Sequence, residues 1–297
     1  MTESIPTSGT QAVRIAVVGG SGLYQMDGLT DVQERQIKTP FGEPSDALII
    51  GTLSGVRVAF LPRHGRGHRM TPSEVPYRAN IYALKSLGVE HVIAVSACGS
   101  LREHLHPGEV VIPNQLVDLT KRREMSFFGR GLVAHIGVAD PFCPDLSQLL
   151  ADATASAGGT IHHGGRFITI EGPRFSTRGE SDLYRAWEMD IIGMTTSPEA
   201  HLAREAEMCY AVMAHVTDYD VWHEDEEPVN VEALIATLNK NTALAQSVVA
   251  SVVGSLTGML RTCDCKDALG AAFITQRDLI SLSLIDELGP IVSRYLE

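Results

Sequence analysis

Cations are scarce in this sequence. Lys and Arg number 24 against 36 Asp and Glu, so the formal net charge is −12. Duplex nucleic acid or an anionic membrane would want a basic face, so neither is expected as a partner. A small anion such as phosphate stays open, because one local cluster of cations can hold it. Cysteine is equally thin. Five in 297 residues do not make a disulfide scaffold. Cys98, Cys143 and Cys209 stand in unrelated segments, and no Cys/His group has the spacing of a tetrahedral zinc site, so no metal is expected. Cys263-Asp264-Cys265 reads either as two thiols in a polar turn or as a strained bridge. Long apolar runs are missing too. The stretch 234–260 is broken by Asn239, Lys240, Asn241, Thr242 and Gln246, which makes it an amphipathic helix and not a membrane span. The first residues carry neither a basic nor an apolar leader region, and a cytoplasmic location is expected.

What is present is an ordinary globular composition, 44% hydrophobic, which excludes a wholly disordered chain. Residues 1–12 are polar and read as a flexible N-terminus. Short β-branched runs at 14–18, 47–53, 56–61, 91–95, 110–112, 167–170, 191–194 and 210–216 predict strands. Ser54-Gly55 joins two of them as a tight hairpin. Helical spacing is read over 77–87, 145–156 and 179–189. Ser197-Pro198 opens another helix to about 206, and Asn230 caps a long one after it. Strands and helices alternate with no repeat and no linker. Residues 13–297 are therefore expected to form a single α/β domain with a central mixed β-sheet flanked by helices. In such folds the loops after the strand ends converge on a ligand cleft.

Those loops carry the chemistry. Gly19-Gly20-Ser21-Gly22 offers backbone N–H groups and a hydroxyl, but fits neither the Walker A pattern nor the dinucleotide fingerprint. Arg63-His64-Gly65-Arg66-Gly67-His68 concentrates two guanidiniums and two imidazoles, suited to phosphate. Ser96-Ala97-Cys98-Gly99-Ser100 lets a ligand approach the backbone. Cys98 has no neighbouring base and reads as a small buried hydrophobe. Thr217-Asp218-Tyr219-Asp220 places two carboxylates two residues apart after an apolar strand. They could ligate a metal, accept amine protons or pass a proton to a leaving group, or be a solvated turn. The residues 223–227 read as a solvated acidic loop. Composition and spacing reach an α/β enzyme with an anion site and a carboxylate site, and no further.

Together these segments resemble the nucleoside phosphorylase superfamily, in the trimeric purine branch that includes the methylthioadenosine phosphorylases. The matching motifs are Gly19-Gly-Ser-Gly-Leu-Tyr24, Pro40-Phe-Gly-Glu-Pro-Ser45, Arg63-His-Gly-Arg-Gly-His68, Ser96-Ala-Cys-Gly-Ser-Leu101, Pro141-Phe-Cys-Pro144, Glu171-Gly-Pro-Arg-Phe-Ser-Thr-Arg178, Gly193-Met-Thr-Thr196 and Thr217-Asp-Tyr-Asp-Val-Trp222. The resemblance implies the nucleoside phosphorylase fold and phosphorolysis of S-methyl-5′-thioadenosine to adenine and 5-methylthioribose 1-phosphate, through a transition state like an oxocarbenium ion. Inorganic phosphate is then a co-substrate and no cofactor is needed. Ser21, Arg63, His64, Ser96, Ala97 and Thr195 match the phosphate positions. Met194 matches the residue under the ribose, and Phe175 the ring stacked on the base. Asp218 and Asp220 match the base-reading carboxylates, and Asp220 is favoured as proton donor. Carboxylates accept from a 6-amino group and repel a 6-oxo group. Ser176, Val231 and, from a neighbouring subunit, His135 match positions near the 5′ group, so a trimer or dimer of trimers is implied. Gly193 stands where many relatives carry Asn, and Ser21 and Ser96 stand where Thr is common. The rival readings are a broader purine nucleoside phosphorylase acting on adenosine, inosine or guanosine, a hydrolase on a related fold, and a non-catalytic nucleoside-binding protein.

Overall fold

The apolar runs build the centre of a mixed sheet. In the computed structural model, which describes residues 12–223 and 231–296 with backbone alone at 21, 24 and 231–240, four strands lie side by side and parallel. They are β4 (Val56–Pro62), β1 (Ile15–Gly19), β5 (His91–Ser100) and β11 (Cys209–Asp218). Their side chains alternate between two cores. Ala16, Val18, Val92, Ala94, Val212 and Ala214 face one. Ile15, Val17, Ile93, Val95, Ala211 and Met213 face the other. Because both faces are covered, these strands read in sequence as continuous apolar runs.

Helices supply the covers. On the first face lie α1 (Tyr77–Ser86) through Tyr77, Ile81 and Leu84, and α4 (Thr196–Glu205) through Leu202 and Ala203. The C-terminal α6 (Leu282–Leu288) adds Leu284 and Leu288 there, and α7 (Ser293–Leu296) follows it. On the second face lie α2 (Pro144–Ser156) through Leu146 and Leu150, and α5 (Val231–Ser255) through Val248, Val249 and Val252. Each fully buried Leu, Ile or Val contributes about 1.5–3 kcal/mol, so the two layers fix the strand register. No helix among the described residues is long and apolar enough to cross a membrane.

Around this centre the sheet reaches eleven strands among the described residues. The hairpin of β3 (Leu48–Leu53) and β4 turns at Ser54-Gly55 as the sequence implies, with Leu53 opposite Val56. Its neighbour β2 (Thr30–Arg35) has all six side chains exposed, and such an edge strand leaves no apolar pattern to read. On the far side, β10 (Ile191–Gly193) pairs with β9 (Arg166–Thr169), which pairs with β7 (Gln115–Asp118). β6 (Val110–Ile112) lies between β11 and β8 (Ile161–His163). A capping box of Thr177 and Glu180 opens α3 (Arg178–Ala186).

Two expectations need correction. The segment 96–100 is not a loop but the second half of β5, because β11 pairs with it along its length. Thr217 and Asp218 likewise end β11 and do not follow it. The helix predicted to open at Ser197-Pro198 starts there in practice: Ser197 is non-helical (φ −103°, ψ 137°) inside α4. The expected flexible segment lies almost wholly outside the described residues, as do Asn230 and residues 224–227.

The feature that makes a site is a fork. On one edge β5 pairs with β1 over His91 to Ala94 and then, antiparallel, with β10 over Gly99 and Ser100. Among the described residues, no strand pairs with 95–98 on that edge. Ser96 and Ala97 are the two residues of β5 that are half-exposed; its other eight are buried.

Candidate active site

The fork leaves strand carbonyls in need of donors, and Arg63, just past β4, supplies them. Its side chain is 3% exposed. Nη1 donates to Val95 O at 3.1 Å and to Ser96 Oγ at 3.2 Å. Nη2 donates to Val18 O at 3.3 Å, and Nε and Nη2 grip both oxygens of the buried Glu199 carboxylate at 2.8 Å each. A guanidinium has five N–H donors, and all five are used. Tyr210 also donates to Glu199, at 2.8 Å. The cation is thus neutralised and spent on scaffold. What it presents to the opening is the Ser96 hydroxyl, held in place.

The rest of the basic loop is redistributed in the same way, which corrects its reading as a shared cation source. Arg66 is exposed and bound to Glu34 and Asp46. His64 is the member that stays available. Its Nδ1–H donates to Met70 O at 2.9 Å, which leaves Nε2 as an acceptor. Burial, with Arg63 and His68 nearby, lowers its pKa to about 4, so the ring is neutral at physiological pH. His68 stacks on it with centroids 4.2 Å apart.

A second buried cation, Arg123, went unnoticed in the sequence because it sits inside the charged run Lys121-Arg122-Arg123-Glu124. Its Nη1 donates to Met194 O at 2.7 Å and Ser197 O at 2.6 Å, and its Nη2 to Glu171 O at 2.8 Å. Glu171 lies 3.5 Å from Nε. Arg123 therefore ties the segment after β9 to the one after β10. The first of these segments carries Phe175 and the second Met194, both half-buried, and the buried Thr195. The antiparallel sense of β10 against β5 carries Met194 and Thr195 past Ala97 toward Ser96. A Cβ at Gly193 would stand 2.7 Å from the Phe167 ring and 3.6 Å from Ala97 O, so no side chain fits there. That accounts for Gly in place of Asn.

The carboxylates lie three residues along β5 from Ser96, roughly 10 Å at the rise of a strand. Gly99 pairs with Asp218, and a Cβ on Gly99 would fall 2.8 Å from Asp218 Oδ1 and 3.4 Å from Asp220 Cβ. Only glycine admits both acids. Asp218 accepts from Thr217 Oγ1 at 2.7 Å and from Asp220 N at 2.8 Å. Burial outweighs these bonds and raises its pKa to about 6. Asp220 is 5% exposed, sits in the left-handed region (φ 52°), and is also raised by burial. Its Oδ2 has no hydrogen-bond partner among the described residues. The buried hydroxyls of Ser176 and Ser181 oppose its shift, and each lacks a partner at hydrogen-bond distance. Trp222 closes the turn by donating to Ser100 O at 2.7 Å, with Arg185 over its ring at 3.6 Å.

The structure thus brings Arg63, Ser96 and Ala97 together at the fork, and Asp218, Asp220 and Ser176 around Gly99. Ser176, expected beside the 5′ group, lies close enough to Asp220 to act on its carboxyl. His135 joins neither group. It is exposed, and its backbone N–H donates to Ala272 O at 2.8 Å. The side chains of Ser21 and Val231 lie outside those described. Cys98 is buried, its pKa raised by burial, which suits a packing role. Sequence reasoning missed Glu199, Arg123 and Ser181. The Glu199 signal was there: a carboxylate among the apolar positions of a helix needs a buried partner.

This fold, with a fork in a mixed sheet flanked by an anchored hydroxyl and a pair of acids, Asp220 buried and Asp218 half-buried, defines a class. The model of the phosphorylase superfamily matches residues 14–254, and the chain belongs to that superfamily. A relative from Geobacter sulfurreducens named S-methyl-5′-thioadenosine phosphorylase is 52% identical over 283 residues, covering 95% of this chain and 99% of its own. A methylthioadenosine phosphorylase sourced from an antarctic soil metagenomic library superposes with a TM-score of 0.91 at 48% identity, covering 95% of this chain and 99% of its own. The methylthioadenosine phosphorylase of Schistosoma mansoni, solved in complex with adenine, superposes with a TM-score of 0.81 at 39% identity, covering 87% and 96%.

Proposed function

We propose that the protein cleaves S-methyl-5′-thioadenosine with inorganic phosphate, releasing adenine and 5-methylthioribose 1-phosphate for purine and methionine salvage. The observation that carries this reading is one strand with two poles: Ser96, anchored by Arg63, and Gly99, against which the two acids pack. Their separation suits a nucleoside laid along β5, with C1′ above Ala97.

Phosphate sits at the Ser96 pole. Ser21, Ser96 and Thr195 offer hydroxyls, Ala97 its backbone, and a phosphate O–H donates to neutral His64 Nε2. The dianion faces the positive charge that develops at C1′ as the N9 bond breaks. Arg63 supports the site by fixing Ser96 and the fork. At the other pole, a protonated Asp220 matches the edge of adenine: its O–H donates to N7 and its other oxygen accepts from the 6-amino group. The base then leaves neutral. Asp218 holds the Asp220 backbone in place. Met194 lies under the ribose, and Phe175 stacks on the base. The 5′-methylthio group lies toward Val231.

The assembly is a homotrimer, or a dimer of trimers, in which His135 enters the neighbouring site. The exposure of Val133 and Val138 beside it (43% and 38%) supports a buried role in an oligomer. No cofactor takes part, and the enzyme works in the cytoplasm. Adenine release from methylthioadenosine, followed with and without phosphate, tests the reaction. Release that requires phosphate is expected. Release without it would mean a hydrolase, and binding with no release would mean a non-catalytic protein.

A further inference from the structure

Cys143 and Cys209, read from sequence as standing in unrelated segments, meet the Cys263-x-Cys265 pair at one point. Cys143 precedes α2 and its N–H donates to Tyr210 O. Cys209 opens β11. Cys263 and Cys265 lie in the segment that follows α5. All four are free thiols, and their Sγ atoms lie within 4.8 Å of one another. Cys263 Sγ is 3.6 Å from Cys143 Sγ and 3.4 Å from Cys209 Sγ. Three of the four are buried and Cys263 is half-buried.

We infer that this cluster is a structural zinc site that pins the C-terminal segment to the sheet. A tetrahedral tetrathiolate with bonds of about 2.3 Å has sulfur–sulfur edges of roughly 3.8 Å, close to the spacing found. Sulfur-only tetrahedral sites select zinc or iron, and a closed site without an open position has a structural role. Binding exchanges four S–H protons for one Zn²⁺ and leaves a net charge of −2 on the centre. Arg261, whose Nε lies 3.9 Å from Glu90, is a nearby cation. It lines the same hollow as Cys143, Cys209 and Cys263, and its Nη1 is fixed by Glu207 O at 2.8 Å. The expectation that no metal belongs to this chain arose because the ligands come from three places far apart in sequence, a Cys-x-Cys pair and two lone residues. The site lies at the start of β11 and the acids at its end, nine steps or roughly 30 Å away, so it acts on stability and not on chemistry.

The test is the metal content of the full chain purified under reducing conditions with zinc in the growth medium. About one zinc per chain is expected. Replacing zinc by Co²⁺ should give thiolate-to-cobalt absorption in the near ultraviolet and the strong red bands of tetrahedral cobalt. A Cys263→Ser/Cys265→Ser variant should lose the zinc and melt at lower temperature, with methylthioadenosine turnover within about twofold at 25 °C. If that variant does not fold, Cys263→Ser alone, at the half-buried position, gives the same readout. Zinc-free protein with no cobalt spectrum overturns the inference. So does a mass about 4 Da below the reduced chain, which means two disulfides. Iron in place of zinc, or zinc retained in the variants, also overturns it.

Discussion

Arg63 donates to Ser96 Oγ at 3.2 Å while Glu199 takes its Nε and Nη2 at 2.8 Å each. The pair is buried on both sides, at 3% and 1% exposure. An arginine committed this fully has its charge matched where it stands, so at the proposed phosphate pole its part is to hold Ser96 in place. Arg123 is committed in the same way, to three carbonyls and to Glu171 at 3.5 Å.

Glu199→Gln separates the two roles Arg63 could have. Removing one partner of a buried pair leaves an uncompensated charge and costs roughly 3–5 kcal/mol. A marked fall in Tm is expected. Because the fork loosens and Ser96 moves, KM for phosphate should rise about tenfold while KM for methylthioadenosine changes less. Thermal unfolding and kinetics at varied phosphate check this. An unchanged Tm with a lower phosphate KM would mean that Arg63 faces the anion directly.

Asp220→Asn tests the reading of the base. Asp220 Oδ2 has no hydrogen-bond partner among the described residues, and in the proposed reading it faces the purine edge. Asn offers an N–H to a 6-oxo group but no proton to N7. Turnover of methylthioadenosine should fall roughly 100-fold or more, and inosine should gain relative to it by about tenfold. Side-by-side kcat/KM values decide the matter, and unchanged selectivity would sink the assignment.

Much of this was legible in the chain. The parallel centre showed as β-branched runs because both its faces are covered, and the Thr217–Asp220 segment announced its acids. What stayed hidden depended on pairing across long separations. Glu199 lies 136 residues from Arg63, so the basic loop looked free when its charge was already matched. Arg123 looked like one more solvated cation until three carbonyls and a carboxylate were found around it. Ser96 to Ser100 looked like a loop because small residues give no apolar signal, yet β11 orders them as strand.

Asp218→Asn should make the protein more stable, in a way that depends on pH. Burial, against bonds from Thr217 and Asp220, raises the Asp218 pKa from 3.8 to about 6. The folded state therefore binds a proton more tightly than the unfolded chain. The favourable contribution of that proton is complete below about 3.8 and is lost as pH climbs through about 6, where the buried carboxylate must ionise. Asn never ionises and keeps an oxygen to accept from Asp220 N. The gain over the parent should therefore be on the order of 1–3 kcal/mol at pH 7 to 8 and vanish near pH 4. Unfolding free energies of both proteins across that range give the difference curve. A difference that is flat, or that grows toward acid, would mean that the Asp218 carboxylate is stabilised where it stands, and that the purine pole keeps its negative charge when empty.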